Sequence, residues 1–190
     1  MAGRLEIRLA GSGGQGVILA GVVLAEAVGI YEGREVAQTQ SYGPEARGGA
    51  SRAEVVISND EIDYPKAIRP DILVCLSQRA CDAYVFDLKP EGMILVDGEL
   101  VQQLPTTRAV ALPFARLARE KVGEVLMANM VALGALAALT GVVSLKSLEA
   151  AVKVRVPKGH REAALKALEV GVSAAREYLA GKEAPPPAGE

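Results

Sequence analysis

The sequence is poor in the residues that build catalytic and metal sites. Its 190 residues include one histidine, two cysteines and no tryptophan. With His160 as the only histidine, no Ser-His-Asp set can be assembled, and we expect an exposed or interface residue there. Cys75 and Cys81 form no CxxC motif, which excludes an iron–sulfur cluster or a structural zinc held by this chain alone, since either normally needs four ligands. We therefore expect no catalytic residue and no metal site, and a buried, apolar environment for Cys75.

The chain also lacks a basic cluster and an N-terminal apolar segment. Its formal net charge of −2 argues against a nucleic-acid partner. Charge in residues 1–8 argues against a signal peptide, so we expect a cytoplasmic protein with reduced thiols. Residues 125–145 carry no charge, but a helix over 125–139 would extend about 22 Å. That is short of the roughly 30 Å core of a bilayer, so we expect no membrane span and a helix buried in the core or at a subunit interface.

Half of the residues are apolar and 20 are glycine, a composition that suits helices packed closely on a parallel sheet. Strand-like and helix-like segments alternate in the first half, and the chain is helical from Phe114 onward. We expect an α/β fold with a doubly wound, mostly parallel sheet, helices on both faces and a helical C-terminal third. Residues 1–181 form a single domain in this prediction, and 182–190 a disordered proline-rich tail. The predicted strands are 5–10, 35–40, 53–58, 71–76, 93–96 and 108–112, and the predicted helices are 16–29, 78–88, 114–121, 125–139, 144–154 and 158–179.

A glycine-rich turn lies between the first predicted strand and helix. It reads Gly11-Ser12-Gly13-Gly14-Gln15-Gly16. Its spacing and position are typical of a turn that holds a phosphate on backbone N–H groups at a helix start. A dinucleotide site would also need an acid at the end of the second strand, and Glu35 lies at the start of that strand. The alternative is a tight turn that serves helix–sheet packing alone.

A second candidate segment follows the second strand, at the edge of the sheet where α/β proteins bind ligands. Arginines there could pair with a carboxylate or phosphate, consecutive glycines could form a backbone anion nest, and a tyrosine offers a flat surface. The alternative is a solvated connection rich in turn residues. The candidate ligand contacts in this segment are Ser41, Tyr42, Glu45, Arg47, Gly48, Gly49 and Arg52.

Two further polar residues stand close to the predicted ligand edge. Asn129 lies alone among apolar neighbours, and we keep open whether it is a satisfied helix residue or a contact to ligand or partner. Asp97 ends a predicted strand before Gly98, and the pattern favours a turn residue.

These motifs resemble those of the gamma subunits of 2-oxoacid:ferredoxin oxidoreductases. The resemblance rests on the glycine turn and above all on residues 38–52. The sequence is most similar to the 2-oxoglutarate type, and the pyruvate and ketoisovalerate enzymes carry related subunits or domains. It continues through Ile62-Asp63-Tyr64-Pro65, through 129–134 and through 154–158, so it spans nearly the whole chain except the tail.

The resemblance implies an enzyme that converts a 2-oxoacid and coenzyme A to an acyl-CoA and CO2 and reduces ferredoxin. In that family, thiamine diphosphate sits between the alpha and beta subunits, and the iron–sulfur clusters lie in other polypeptides or domains. The gamma chain packs against them and is implicated in binding coenzyme A. The resemblance also implies that the isolated chain is inactive. Without its partner subunits, the chain could form a homodimer through the surfaces that normally contact those partners. A stand-alone nucleotide-binding or sensor module remains the alternative.

Overall fold

Short runs of β-branched and apolar residues form one six-stranded sheet in the computed structural model, which describes residues 3–42, 50–106 and 108–183. The strand order across the sheet is β2-β3-β1-β4-β5-β6. The strands are β1 Leu5–Ser12, β2 Glu35–Ser41, β3 Ala50–Ser58, β4 Ile72–Cys75, β5 Met93–Asp97 and β6 Val110–Leu112. All six predicted strands are therefore present, with shifted ends.

The sheet is mixed but mostly parallel, as the sequence predicts. β1 pairs in parallel with β4, β4 with β5, and β5 with β6. β3 runs antiparallel to both β1 and β2, so β2 points in the same direction as β1. The C-terminal ends of β1, β2, β4 and β5 therefore share one edge of the sheet, which we call the carboxyl edge.

Six α-helices follow the predicted pattern, although most of them end earlier or begin later than expected. A π-helical turn, Ala27–Tyr31, continues the first helix, and a second one, Ala118–Val122, continues the third. Short 3-10 turns follow α2 and precede α4 and α6. The helices are α1 Val17–Glu26, α2 Gln78–Tyr84, α3 Phe114–Leu117, α4 Ala128–Thr140, α5 Leu145–Arg155 and α6 Arg161–Glu183. α6 includes residues 182 and 183, so the helix runs two residues into the predicted tail, and residues 184–190 lie outside the described residues.

Helices cover both faces of the sheet, because side chains alternate between the faces along each strand. On the first face, Ile7 and Leu9 belong to the large core formed with α1 and α3 to α6. On the second face, Ala10 and Cys75 pack in a smaller core with Cys81 of α2. The two-sided arrangement expected from the sequence is confirmed.

The uncharged segment forms a buried helix in the core. Every residue of α4 from Ala128 to Ala137 is buried. Among the described residues, no helix is both long enough and apolar enough to cross a bilayer. α4 crosses α6 so closely that a Cβ on Gly134 would lie 2.1 Å from the Leu168 carbonyl oxygen. This helix pair is the central packing contact of the C-terminal third.

Candidate functional site

The glycine turn joins the end of β1 to the start of α1 at the carboxyl edge. Gly14 and Gly16 have φ angles of +90° and +70°, the left-handed region that favours glycine. The turn closes with a hydrogen bond from the Gln15 backbone N–H to the Ser12 carbonyl oxygen at 3.2 Å. Strand, turn and helix therefore have the connection that the sequence predicts.

The four glycines of the turn differ in what surrounds them. A Cβ on Gly11 would lie 2.7 Å from Gln15 Oε1, and one on Gly16 would lie 2.4 Å from Asn129 Nδ2. A Cβ on Gly13 or Gly14 would meet none of the described residues within 4 Å, and both glycines are exposed. Gly11 and Gly16 are thus required by packing inside the chain, whereas Gly13 and Gly14 leave open space next to the backbone.

Both polar atoms of the Gln15 side chain bind within the chain. Its Oε1 accepts a hydrogen bond from the Ser12 backbone N–H at 2.7 Å, and its Nε2 donates to the Leu76 carbonyl oxygen at 2.8 Å. Leu76 directly follows β4, so Gln15 ties the glycine turn to the neighbouring strand. This geometry favours a role in shaping the turn over a direct hydrogen bond to a ligand.

Asn129 reaches the same turn from α4. Its Nδ2 donates to the Gly16 carbonyl oxygen at 3.0 Å, and its Oδ1 accepts from the Met130 backbone N–H at 2.8 Å. The residue is 5% exposed. The sequence left two roles open for Asn129. These contacts favour a helix residue whose side-chain oxygen and nitrogen are hydrogen-bonded within the protein, and a ligand contact stays a prediction.

The first turn of α1 carries backbone N–H groups that have no partner within the helix. The first helical hydrogen bond runs from the Ala20 backbone N–H to the Gly16 carbonyl oxygen at 3.0 Å. The N–H groups of Val17 to Leu19 therefore have no acceptor within the helix. Within the described part of the chain, no side chain caps this end, and no acidic residue lies in the first turn. α2 differs, because Ser77 Oγ accepts from the Ala80 backbone N–H. The partial positive charge of the α1 terminus is therefore available beside the open Gly13 and Gly14.

The second candidate segment includes the end of β2 and the start of β3, which pair antiparallel. Ser41 pairs with Arg52, and Ala50 pairs with Ser12 at the end of β1. Tyr42 is 65% exposed, and its hydroxyl accepts a hydrogen bond from Gln40 Nε2 at 3.3 Å. The structure thus brings Ser41, Tyr42 and Arg52 to the edge that holds the glycine turn. The other predicted contacts, Glu45, Arg47, Gly48 and Gly49, lie outside the described residues.

Arg52 belongs to a charged network on the second face that the sequence analysis missed. Arg8 is 3% exposed, and its Nε donates to Glu54 Oε1 at 3.0 Å. Glu54 is 4% exposed and also pairs with Arg52, whose Nε lies 3.3 Å from the same oxygen. Tyr84 packs against both guanidinium groups. The available signal was the alternation of Glu6 and Arg8 with apolar residues along β1, which places charged side chains on one face.

The remaining polar candidates lie in structural or exposed positions. Asp97 is 1% exposed and accepts hydrogen bonds from the backbone N–H groups of Glu99, Leu100 and Ala115, so it is the turn residue that the pattern favours. His160 is exposed, with Nδ1 3.2 Å from Glu124 Oε2. Within the described ranges, no three His, Cys, Asp or Glu side chains are grouped so that they could hold a metal ion.

The two cysteines are free, buried and in contact. Cys75 belongs to β4 and Cys81 to α2, and both are 0% exposed. A hydrogen bond with Cys81 and burial together raise the pKa of the Cys75 thiol well above its ordinary value. The same hydrogen bond, with Cys75 as donor, lowers the pKa of Cys81. Cys75 is therefore the buried thiol that the sequence predicts.

Comparison with known proteins gives a consistent relationship. The family model described as pyruvate ferredoxin/flavodoxin oxidoreductase matches residues 6–174. The 2-oxoglutarate synthase subunit KorC of Methanocaldococcus jannaschii is 52% identical over 178 residues, which cover 92% of this chain and 95% of that protein. The ketoisovalerate oxidoreductase subunit VorA of Methanothermobacter thermautotrophicus is 36% identical over 94% of this chain, but only 38% of that longer protein is covered.

A solved structure agrees with these relatives. The gamma subunit of a keto/oxoacid ferredoxin oxidoreductase from Geobacter sulfurreducens superposes with a TM-score of 0.84 and is 48% identical, and the match covers 93% of this chain and 98% of that one. The chain therefore belongs to the pyruvate ferredoxin/flavodoxin oxidoreductase family, as a gamma subunit of a 2-oxoacid:ferredoxin oxidoreductase.

Proposed function

We propose that this gamma subunit supplies a coenzyme A-binding edge to an enzyme that converts 2-oxoglutarate and coenzyme A to succinyl-CoA and CO2. The two electrons released by this oxidative decarboxylation pass to ferredoxin. Thiamine diphosphate and the iron–sulfur clusters belong to the alpha, beta and ferredoxin-like partner subunits in this proposal. 2-Oxoglutarate is favoured because the KorC relative is named as a 2-oxoglutarate synthase subunit.

The observation that carries the proposal is the open glycine turn beside an uncapped helix start. Gly13 and Gly14 leave room for a phosphate to approach the backbone, and α1 offers N–H groups there that have no helical partner. Coenzyme A fits such a cradle because it carries several phosphates. Arg52 supplies a cationic side chain on β3, whose first residues lie at the same edge, and charge-assisted contacts to phosphate suit arginine. Arg47, a second arginine proposed from the sequence, lies outside the described residues. The chain then binds and orients the acyl acceptor, while other subunits carry out the redox chemistry.

The sheet order makes a nicotinamide dinucleotide a poor fit. In a dinucleotide site, an acid at the end of a strand adjacent to β1 binds the ribose. Here antiparallel β3 separates β1 from β2, so the end of β2 is displaced by two strand spacings, or about 10 Å. Glu35 pairs with Ser58 at the opposite edge. A sensor of NAD would therefore lack the usual ribose contact.

Reconstitution tests the proposal. We expect the chain alone to show no turnover, and 2-oxoacid-dependent ferredoxin reduction to require this chain together with the alpha and beta subunits of the same source. Calorimetric titration of the assembled complex with coenzyme A should show binding, with NAD as the comparison ligand. Turnover by the isolated chain, or NAD binding without coenzyme A binding, would overturn the assignment. Parallel assays with pyruvate, 2-oxoisovalerate and 2-oxoglutarate decide the substrate.

A further inference from the structure

β2 is the outermost strand on one side of the sheet. It pairs with β3 without interruption from Glu35 to Ser41. Because backbone N–H and C=O groups alternate in direction along a strand, about half of those in β2 point away from β3. Proteins commonly protect an edge strand with a proline, a lysine or a β-bulge, and the seven described residues of β2 include none of these. β2 is therefore suited to pair with another strand.

An apolar groove lies beside the start of β2, on the first face of the sheet. Its volume is about 410 Å3. A Cβ on Gly29 would lie 2.5 Å from Val36 Cγ1 and 3.9 Å from the Arg34 carbonyl oxygen, so the end of the first helix packs directly against the start of the strand. Ile30, which borders the groove, is 70% exposed. The apolar lining consists of Val22, Ala25, Gly29, Ile30 and Val36.

An exposed aromatic side chain follows the other end of β2. Tyr42 is 65% exposed, and its hydroxyl accepts a hydrogen bond from Gln40 Nε2, so these two side chains lie on the same side of the strand. That side is the first face, because a Cβ on Gly21 of α1 would lie 3.8 Å from Gln38 Nε2, and Gln38 and Gln40 share a face. The groove and the tyrosine therefore lie at opposite ends of one face of β2.

We propose that β2 pairs antiparallel with β2 of a second copy of this chain, about a two-fold axis at Gln38. In the register that pairs all seven residues, Ser41 of the second copy lies opposite Glu35, and its Tyr42 lies opposite Arg34, next to the groove. The tyrosine ring then covers Ile30, and the two-fold symmetry makes this contact twice. The pairing joins two six-stranded sheets into one, and it does not depend on the ligand proposed for the glycine turn.

The charge and the exposed side chains of this edge favour a second copy as the occupant. Glu35 is the one charged residue of β2, and in this register it faces a serine instead of another Glu35, so no like charges meet. Among the described residues, Ile30 and Tyr42 are the second and third most exposed large apolar side chains. Reversal of the same strand places each of them on the other, whereas a strand from a different subunit would need its own aromatic residue at that position.

A charge at Gln38 tests the pairing, because the axis places this residue opposite itself. Analytical ultracentrifugation of the full chain should show a dimer with a micromolar Kd. Gln38→Lys or Gln38→Glu alone sets like charges opposite each other, and we expect Kd to rise at least about tenfold in either variant. An equimolar mixture of the two variants sets opposite charges across the axis and should bring Kd back to within about threefold of the native value. This recovery requires both variants to be folded.

A second pair of variants tests the contact with the groove. Tyr42→Ser changes an exposed side chain and should also raise Kd about tenfold. Phe86→Ser is the matched control, because Phe86 is 83% exposed and lies outside β2 and the groove, and it should leave Kd unchanged.

Three results would overturn the proposal. They are a monomeric native chain, a mixture of the Gln38 variants that does not recover, and equal effects of Tyr42→Ser and Phe86→Ser. If the native chain is monomeric and hydrogen exchange of the β2 amides slows only when alpha and beta subunits are added, the occupant is a partner subunit and not a second copy.

Discussion

The side-chain amide of Asn129 donates to the carbonyl oxygen of Gly16, across 113 positions of sequence, at 3.0 Å. This contact joins the first residues of α4 to the residue that precedes α1. A Cβ at position 16 would collide with the amide, so Asn129 in this position requires a glycine at 16. The apolar core of the C-terminal third is thereby connected directly to the proposed ligand cradle.

Removal of this contact should lower the stability of the fold. Asn129→Ala leaves the Gly16 carbonyl without its side-chain partner, and we expect the free energy of unfolding to fall by about 1–3 kcal/mol. Urea denaturation followed by circular dichroism measures the change. Asn59→Ala, at an exposed position, is the matched control and should alter stability by less than about 0.5 kcal/mol. Equal stability of the two variants would contradict a structural role for the Asn129 amide.

A side chain at Gly13 should block the ligand without disturbing the fold. Gly13 is exposed and a Cβ there would meet no atom within 4 Å, so Gly13→Val is expected to keep the native unfolding midpoint. In the assembled complex it should raise KM for coenzyme A at least about tenfold, because a valine excludes a phosphate from the backbone N–H groups. Gly181→Val, another exposed glycine with open surroundings, is the control. An unchanged KM in Gly13→Val would remove the glycine turn from the proposed site.

The close crossing of α4 and α6 should be sensitive to a single methyl group. In Gly134→Ala the new Cβ would lie 2.1 Å from the Leu168 carbonyl oxygen, so the helices must separate. We expect the free energy of unfolding to fall by about 3 kcal/mol, which is at the upper end of the usual cost of adding a methyl group to a well-packed core. Gly181→Ala makes the same chemical change where nothing lies within 4 Å, and it should stabilise α6 by up to about 1 kcal/mol. A small loss of unfolding free energy in Gly134→Ala would contradict the close contact between α4 and α6 at this position.

The buried thiols should resist modification in the native state. Both cysteines are 0% exposed, and the raised pKa of Cys75 keeps that thiol protonated at neutral pH. We expect the disulfide reagent DTNB to react with neither cysteine in native protein and with both in denaturant, as read from absorbance. Rapid native labelling of Cys75 would contradict the tight packing of β4 against α2.

Much of the fold follows from local sequence pattern. Strand-like segments that alternate with helix-like ones predicted the six strands, and the uncharged run around Asn129 predicted a buried helix. Strand direction was harder to infer, because the antiparallel course of β3 depends on pairing with β1 and β2 rather than on its own residues. The π-helical turn at Ala27–Tyr31 was also missed, since it reflects how the end of α1 meets its surroundings.

The sequence by itself determined the glycine turn, the family resemblance and the small number of histidine and cysteine residues, because these depend on residue type and spacing along the chain. Only the tertiary structure decided the partners of each side chain. It directs Gln15 to Leu76 and Asn129 to Gly16, and it groups Arg8, Glu54 and Tyr84 around Arg52. These contacts join residues far apart in sequence, and they form because buried polar groups must find hydrogen-bonding partners wherever the folded chain supplies them.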